Sequence, residues 1–166
     1  MSYTLRDSKF KLHYSHSAGF TLLEIVIALG VVAIISVFSV SSFLRVNRDR
    51  ALTTEVEKVL SLVGKARSFT LSAKDGGAYG VHFEQGKVVL FLGPVYTSGS
   101  ASNETQVLNK EVRISSISLA GGGSDVVFSK LTGKTAQSGT ITFSLVSTAG
   151  VTKVITIATT GTAYSN

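Results

Sequence analysis

The chain has no cysteine, no tryptophan, one proline (Pro94) and one methionine, Met1. Without cysteine it can form neither a disulfide nor a thiolate metal site, so packing alone must hold the fold. Acidic residues are scarce as well: Asp and Glu number 10 against 16 Lys and Arg, for a formal charge of +6 over 166 residues. That excess is scattered. Residues 1–19 hold Arg6, Lys9 and Lys11 against Asp7, and the remaining basic residues are spread along the chain. A scattered excess lacks the basic stripe that marks a nucleic-acid surface. Between Phe20 and Val40 charge is missing altogether, except at Glu24.

What is present is that apolar run. From Phe20 to Val40 it is long enough to cross a bilayer as a helix. Basic residues before it and polar ones after it predict a cytoplasmic start and an exported carboxyl-terminal domain. Arg45, Arg48 and Arg50 follow the run, so charge bias alone does not decide the orientation. A cleaved secretory signal needs a shorter apolar core with small residues after it. Here the run is longer, and the small residues Ser17-Ala18-Gly19 precede it. A plain anchor accounts for the length but leaves Glu24 unexplained, since a mid-bilayer carboxylate costs roughly 2.5–3.5 kcal/mol on insertion scales.

The sequence Gly19-Phe20-Thr21-Leu22-Leu23-Glu24, followed by the apolar run and preceded by a basic leader, resembles the class III leader of type IV pilins and pseudopilins. The resemblance implies that prepilin peptidase cuts between Gly19 and Phe20 on the cytoplasmic side and N-methylates Phe20. It also implies that Glu24, fifth in the mature chain, neutralises the amino terminus of a neighbouring subunit during filament assembly. The implied partners are prepilin peptidase, other pilin or pseudopilin subunits, an inner-membrane assembly platform and membrane lipid. The implied location is the inner membrane, crossed once, with the exported domain built into a filament. A second reading of Glu24 needs no partner: a carboxylate near a helix amino terminus is favoured by the helix dipole.

Beyond the run, Leu52, Val56, Val59, Leu60, Val63 and Ala66 recur at helical spacing, with Glu55, Glu57, Lys58, Lys65 and Arg67 on other faces. Asp75-Gly76-Gly77 reads as the stop. A helix from Phe20 to about Ser72 would be roughly 78 Å long at 1.5 Å per residue, so its distal half must pack on a domain. Ser41-Ser42 stands where many pilins have a kinking proline, and Gly30 is another weak point.

After Gly77 the pattern becomes short alternating runs, each with one face buried and one wet. Tyr79–Phe83 and Lys87–Leu92 read as a hairpin around Glu84-Gln85-Gly86. Val107–Leu119, Val126–Phe128, Thr140–Val146 and Val151–Ile157 read as further strands, the last two joined by a turn at Ser147–Gly150. Thr97–Gln106 and Ala120–Ser124 read as exposed loops. The early aromatic hairpin and the end pattern Phe128…Gly133…Ile141–Val146…Val151–Ile157…Gly161 resemble the minor pseudopilin H (GspH/FimT) type. The expected class is α+β with a pilin-like fold. Its parts are a leader (1–19), a transmembrane and filament-core helix (20–41), an amphipathic continuation (42–75) and an antiparallel β domain (76–166).

Catalytic chemistry is not indicated. His13 and His16 fall in the leader, and His82, between Val81 and Phe83, reads as a strand residue on the wet face. Gly121-Gly122-Gly123 precedes a strand and not the helix that a phosphate loop requires. Asn103-Glu104-Thr105 fits a glycosylation sequon, a pattern common by chance. The tail after Ile157 lacks the side-chain carboxylates of the calcium-binding major pseudopilins, so no metal and no other cofactor is expected. A structural filament subunit is therefore the leading function. The alternatives are a DNA-binding minor pilin and a membrane-anchored enzyme or adhesin with a borrowed leader. The DNA reading has little support, because Lys130, Lys134 and Lys153 form only a loose group and the tail from Ala158 to Asn166 has no Lys or Arg.

Overall fold

The computed structural model describes residues 19–148 and 150–166, with backbone alone over 37–45. Arg6, Lys9, Lys11, His13 and His16 of the leader therefore lie outside the described residues, as does Ala149 of the expected Ser147–Gly150 turn. Two units divide the chain, Met1–Ser41 and Ser42–Asn166.

Helix α1 (Leu22–Leu71) has residues in both units, and Gly30 is helical within the first. In the second unit Leu52, Val56, Val59, Leu62, Val63 and Ala66 are buried, a stripe repeating every three or four residues. Two details differ from the sequence reading. Leu62 is buried where Leu60 is only partly so. Glu55, expected on a polar face, is 4% exposed and accepts a hydrogen bond from the Lys58 ammonium at 2.8 Å. The helix ends at Leu71, where Ala73 turns left-handed at φ 50°. A short 3-10 turn (Lys74–Gly76) follows, so the expected stop sits a few residues past the true end.

Among the described residues, eight strands make two antiparallel four-stranded sheets. They are β1 (Tyr79–Glu84), β2 (Lys87–Leu92), β3 (Glu104–Val107), β4 (Val112–Leu119), β5 (Asp125–Val127), β6 (Gly139–Leu145), β7 (Thr152–Ile157) and β8 (Ala163–Ser165). The orders are β3-β2-β1-β5 and β4-β6-β7-β8. The Leu108 amide donates to the Gly86 carbonyl and the Ile114 amide to the Gln85 carbonyl, each at 2.9 Å, tying the β1–β2 turn to the entry of β4. One core receives the helix stripe, Phe128 just past β5, and inner-facing residues of both sheets: Val81, Phe83 and Leu90 from the first, Ile141, Phe143, Ile155 and Ile157 from the second. The expected α+β architecture, a long helix with antiparallel β structure, is the one observed.

Three expectations for the strands need correction. Glu104–Gln106, expected in a loop, belong to β3, where Leu90 pairs with Glu104 and Lys87 with Val107. Polar residues suit an edge strand, and they erased the alternation that would have revealed it. The run read from Val107 to Leu119 is split by a turn in which the Asn109 side-chain oxygen accepts the Glu111 amide hydrogen at 3.0 Å. β8 went unread because its three residues are too few to show a period.

Candidate functional site

The first unit presents the segment singled out by the sequence. Gly19, Phe20 and Thr21 precede the helix and are not helical. The Thr21 hydroxyl accepts the Glu24 amide hydrogen at 3.2 Å, and the Thr21 carbonyl accepts the Ile25 amide hydrogen at 3.2 Å. Thr21 is thus the N-cap, and Glu24 stands three residues on, in the first turn. Threonine followed at that spacing by glutamate is the sequence signature of a capping box, a local signal not used in the sequence reading. The cap fixes where the helix begins and leaves the Gly19–Phe20 peptide outside it. Phe20 is 79% exposed, and Gly19 and Glu24 are exposed too. Among the described residues, no side-chain hydrogen bond or ion pair reaches the Glu24 carboxylate.

The turns that follow are apolar on every face. Leu22, Leu23, Ile25, Val26, Ile27 and Leu29 are all exposed. A helix apolar all round requires lipid or protein around it. Among the described residues no helix is long and apolar enough to cross a membrane, since the described side chains of this run end at Ser36. The helix starts at Leu22 and not at the expected Phe20, and the membrane crossing of 20–41 stays a reading of the sequence.

In the second unit, the end of the helix is bound to the sheets by two polar junctions. The Thr70 hydroxyl accepts the Tyr79 amide hydrogen at 2.8 Å and donates to the Ala66 carbonyl at 2.9 Å. The Arg67 guanidinium donates to the Gly133 carbonyl at 3.1 Å. A Cβ on Gly161 would stand 1.8 Å from that same carbonyl oxygen, so Gly161, at φ +80°, is required by close approach. Both glycines of the end pattern thus meet at one place. The Tyr79 hydroxyl donates to the Asp75 carboxylate at 2.5 Å. That hydrogen bond, with burial and the nearby negative charge, pushes the Tyr79 pKa up to about 12.

His82 is not on a wet face, contrary to the sequence reading. Its Nδ1 is bonded to Asp125, its Nε2 lies 3.5 Å from Glu84, and the Tyr96 ring stacks on it at 3.9 Å. Tyr96 also meets Phe91 edge-on at 5.6 Å, and the Phe91 ring occupies the space a Cβ on Gly80 would need. This aromatic layer covers the outer face of the first sheet. Histidine alternating with core residues gave no hint of the strap, because Tyr96 comes from a loop. No group of metal-ligating side chains comes together among the described residues. The loose lysine group is not assembled either: Lys130 and Lys134 share a loop, whereas Lys153 pairs with Phe143 on β7.

The prokaryotic N-terminal methylation motif matches residues 14–40. Among solved structures, the type IV minor pilin FimU of Pseudomonas aeruginosa resembles this chain with a TM-score of 0.52 at 15% sequence identity. The likeness covers 69% of this chain and 92% of that one. No curated protein matches the chain. At so low an identity the structural likeness speaks for the fold, and that fold is the pilin fold.

Proposed function

We propose that this chain, a type IV pilin or pseudopilin by its methylation motif and its fold and so a structural subunit and not an enzyme, acts by entering a helical filament. The motif implies processing by prepilin peptidase and assembly with other pilins. The finer assignment is cleavage between Gly19 and Phe20, N-methylation of Phe20, and pairing of Glu24 with the amine of a neighbouring Phe20. The observation that carries it is the Thr21 cap, which leaves an exposed, non-helical Gly19–Phe20 peptide directly before a helix with Glu24 in its first turn. Exposed, irregular chain is where proteolysis concentrates.

The energetics support pairing. Once the run is covered by lipid or protein, an isolated carboxylate is costly, and pairing with an amine of opposite charge offsets that cost. An incoming subunit that places its amine at Glu24 is favoured, which selects one axial stagger. The subunit is held at the inner membrane before assembly, through the apolar helix and an assembly platform, and its β domain is exported. Both the end pattern Phe128…Gly161 and the likeness to FimU favour a minor-pilin type of domain, a matter of shape and not of copy number. A type II secretion pseudopilus and a type IV pilus both fit the motif and the fold.

Leader cleavage is tested with Gly19→Leu. The variant is expected to accumulate as the full-length precursor, visible as a mass shift on immunoblots of whole cells. Processing at the normal rate would remove the leader assignment.

A further inference from the structure

Val89 and Phe91 of β2 are buried, yet neither belongs to the core between the helix and the two sheets. They lie on the outer face of the first sheet, where Val89 pairs with His82 and Phe91 with Gly80 of β1. The loop 93–103 joins β2 to β3 and lays Tyr96 over this face, edge-on to Phe91 at 5.6 Å and stacked on the His82 ring at 3.9 Å. The loop holds its own shape. The Asn103 side-chain amide donates to the Thr97 carbonyl at 2.8 Å, and the Gly93 amide donates to the Ala78 carbonyl at 2.7 Å. It contains no charged residue, and Val95, next to Tyr96, is 70% exposed. Tyr96 is what fastens it to the sheet.

Beneath Tyr96 the His82 ring stands between two carboxylates. Its Nδ1 is bonded to Asp125 of β5, and its Nε2 is 3.5 Å from Glu84, two residues along β1. Lys87 of β2 also reaches Glu84, at 3.2 Å. Asp125, Glu84 and Lys87 are the charged groups around the ring among the described residues, with the Tyr96 phenol on its face. The His82 side chain is 18% exposed, so water has access to it. A neutral imidazole carries one N–H and one lone pair. With the hydrogen on Nδ1 for Asp125, the Nε2 lone pair faces the Glu84 carboxylate, acceptor against acceptor. An imidazolium donates at both nitrogens and presents a positive ring to the face of Tyr96.

We propose that His82 is a proton-operated latch for the 93–103 loop. Protonated, it bridges Asp125 and Glu84 and holds Tyr96 down; neutral, it weakens that hold and lets the loop lift from Val89 and Phe91. An imidazole changes charge between about pH 5 and about pH 8, so closure weakens as pH rises through that range. Asp125 keeps one hydrogen bond and Lys87 stays on Glu84, so the loop loosens while the sheet beneath it holds. The latch concerns the β domain alone and does not depend on the filament reading.

Hydrogen exchange of the full chain in detergent micelles at pH 5 and pH 8, with each rate compared with its intrinsic rate at the same pH, reads the opening of the loop. Protection of residues 95–103 is expected to be about tenfold lower at pH 8, as for losing one hydrogen bond to a charged group, while protection of β6 is unchanged. Equal protection of the loop at the two pH values overturns the latch. His82→Gln is expected to remove the difference; a difference that persists belongs to another group and overturns the proposal. Glu84→Gln replaces the carboxylate with an amide that donates to the neutral ring, so the loop should stay protected at pH 8. A loss equal to that of the parent contradicts the role given to Glu84. Where His82→Gln also lowers the protection of β6, and so has disturbed the fold, Glu84→Gln decides alone.

Discussion

The Thr70 hydroxyl accepts the Tyr79 amide hydrogen at 2.8 Å, so the last turn of the long helix and the first residue of β1 are joined through one buried oxygen. That oxygen also donates to the Ala66 carbonyl, which leaves the Tyr79 amide satisfied in the interior. Valine has nearly the same shape and can make neither bond. Thr70→Val should therefore strand a buried amide and cost about 1–3 kcal/mol. Thermal unfolding of the purified protein checks this; an unchanged midpoint would show that the Tyr79 amide finds another acceptor.

Glycines separate into two classes with opposite expected effects. Gly161→Ala places a Cβ 1.8 Å from the Gly133 carbonyl oxygen at φ +80°, and backbone cannot yield as a side chain can. A loss of about 3 kcal/mol or more is expected, with Arg67 displaced from Gly133. Gly64, on the exposed face of α1, has nothing within 4 Å of a new Cβ. Gly64→Ala should stabilise by about 0.5–1 kcal/mol through helix propensity. The two melting temperatures, compared with that of the parent, should shift in opposite directions.

Tyr79 makes stability depend on pH at the alkaline end. Its folded pKa is about 12, above the ordinary 10.0, because the hydroxyl is bonded to Asp75 and partly buried. The neutral form is the one the fold favours. Its contribution is complete below pH 10 and is lost as pH rises through 12. Tyr79→Phe lacks both the bond and the ionisation, so its stability should be lower at pH 8 and flatter between pH 10 and 12. Denaturant midpoints across that range distinguish the two slopes.

Much of the distal helix was legible, because Leu52, Val56, Val59, Val63 and Ala66 face one core and repeat at its period. The β1–β2 hairpin was legible for a similar reason: Gln85 and Gly86 make a two-residue turn between alternating runs. What escaped was set by partners distant in sequence. β3 is polar and becomes a strand only by lying along β2. Glu55 is buried by tertiary packing that no helical wheel contains. His82 is covered by Tyr96, fourteen positions on, from a loop with no period. In the candidate site Gly19, Phe20 and Glu24 are proposals that rest on the leader motif, which is local in sequence. The Thr21 cap is also written locally, as a threonine three residues before Glu24, and its bond is to the Glu24 backbone and not to the carboxylate.

Glu24→Ala removes the carboxylate and keeps the Thr21 cap, whose acceptor bonds the residue 24 backbone. Leader cleavage should proceed while the amount in sheared surface or periplasmic fibres falls tenfold or more, as expected for losing roughly 1.4 kcal/mol or more per subunit added. Quantitative immunoblots of the fibre and cell fractions measure both. Normal fibre content would leave Glu24 as a carboxylate placed only by the helix dipole.

The account stands on where the mature chain begins. Edman degradation and intact mass of the protein recovered from cell membranes should show an N-methylated phenylalanine first, then Thr-Leu-Leu-Glu, with residues 1–19 gone. A chain that still begins with Met1 or Ser2, or one cut after the apolar run, would contradict it.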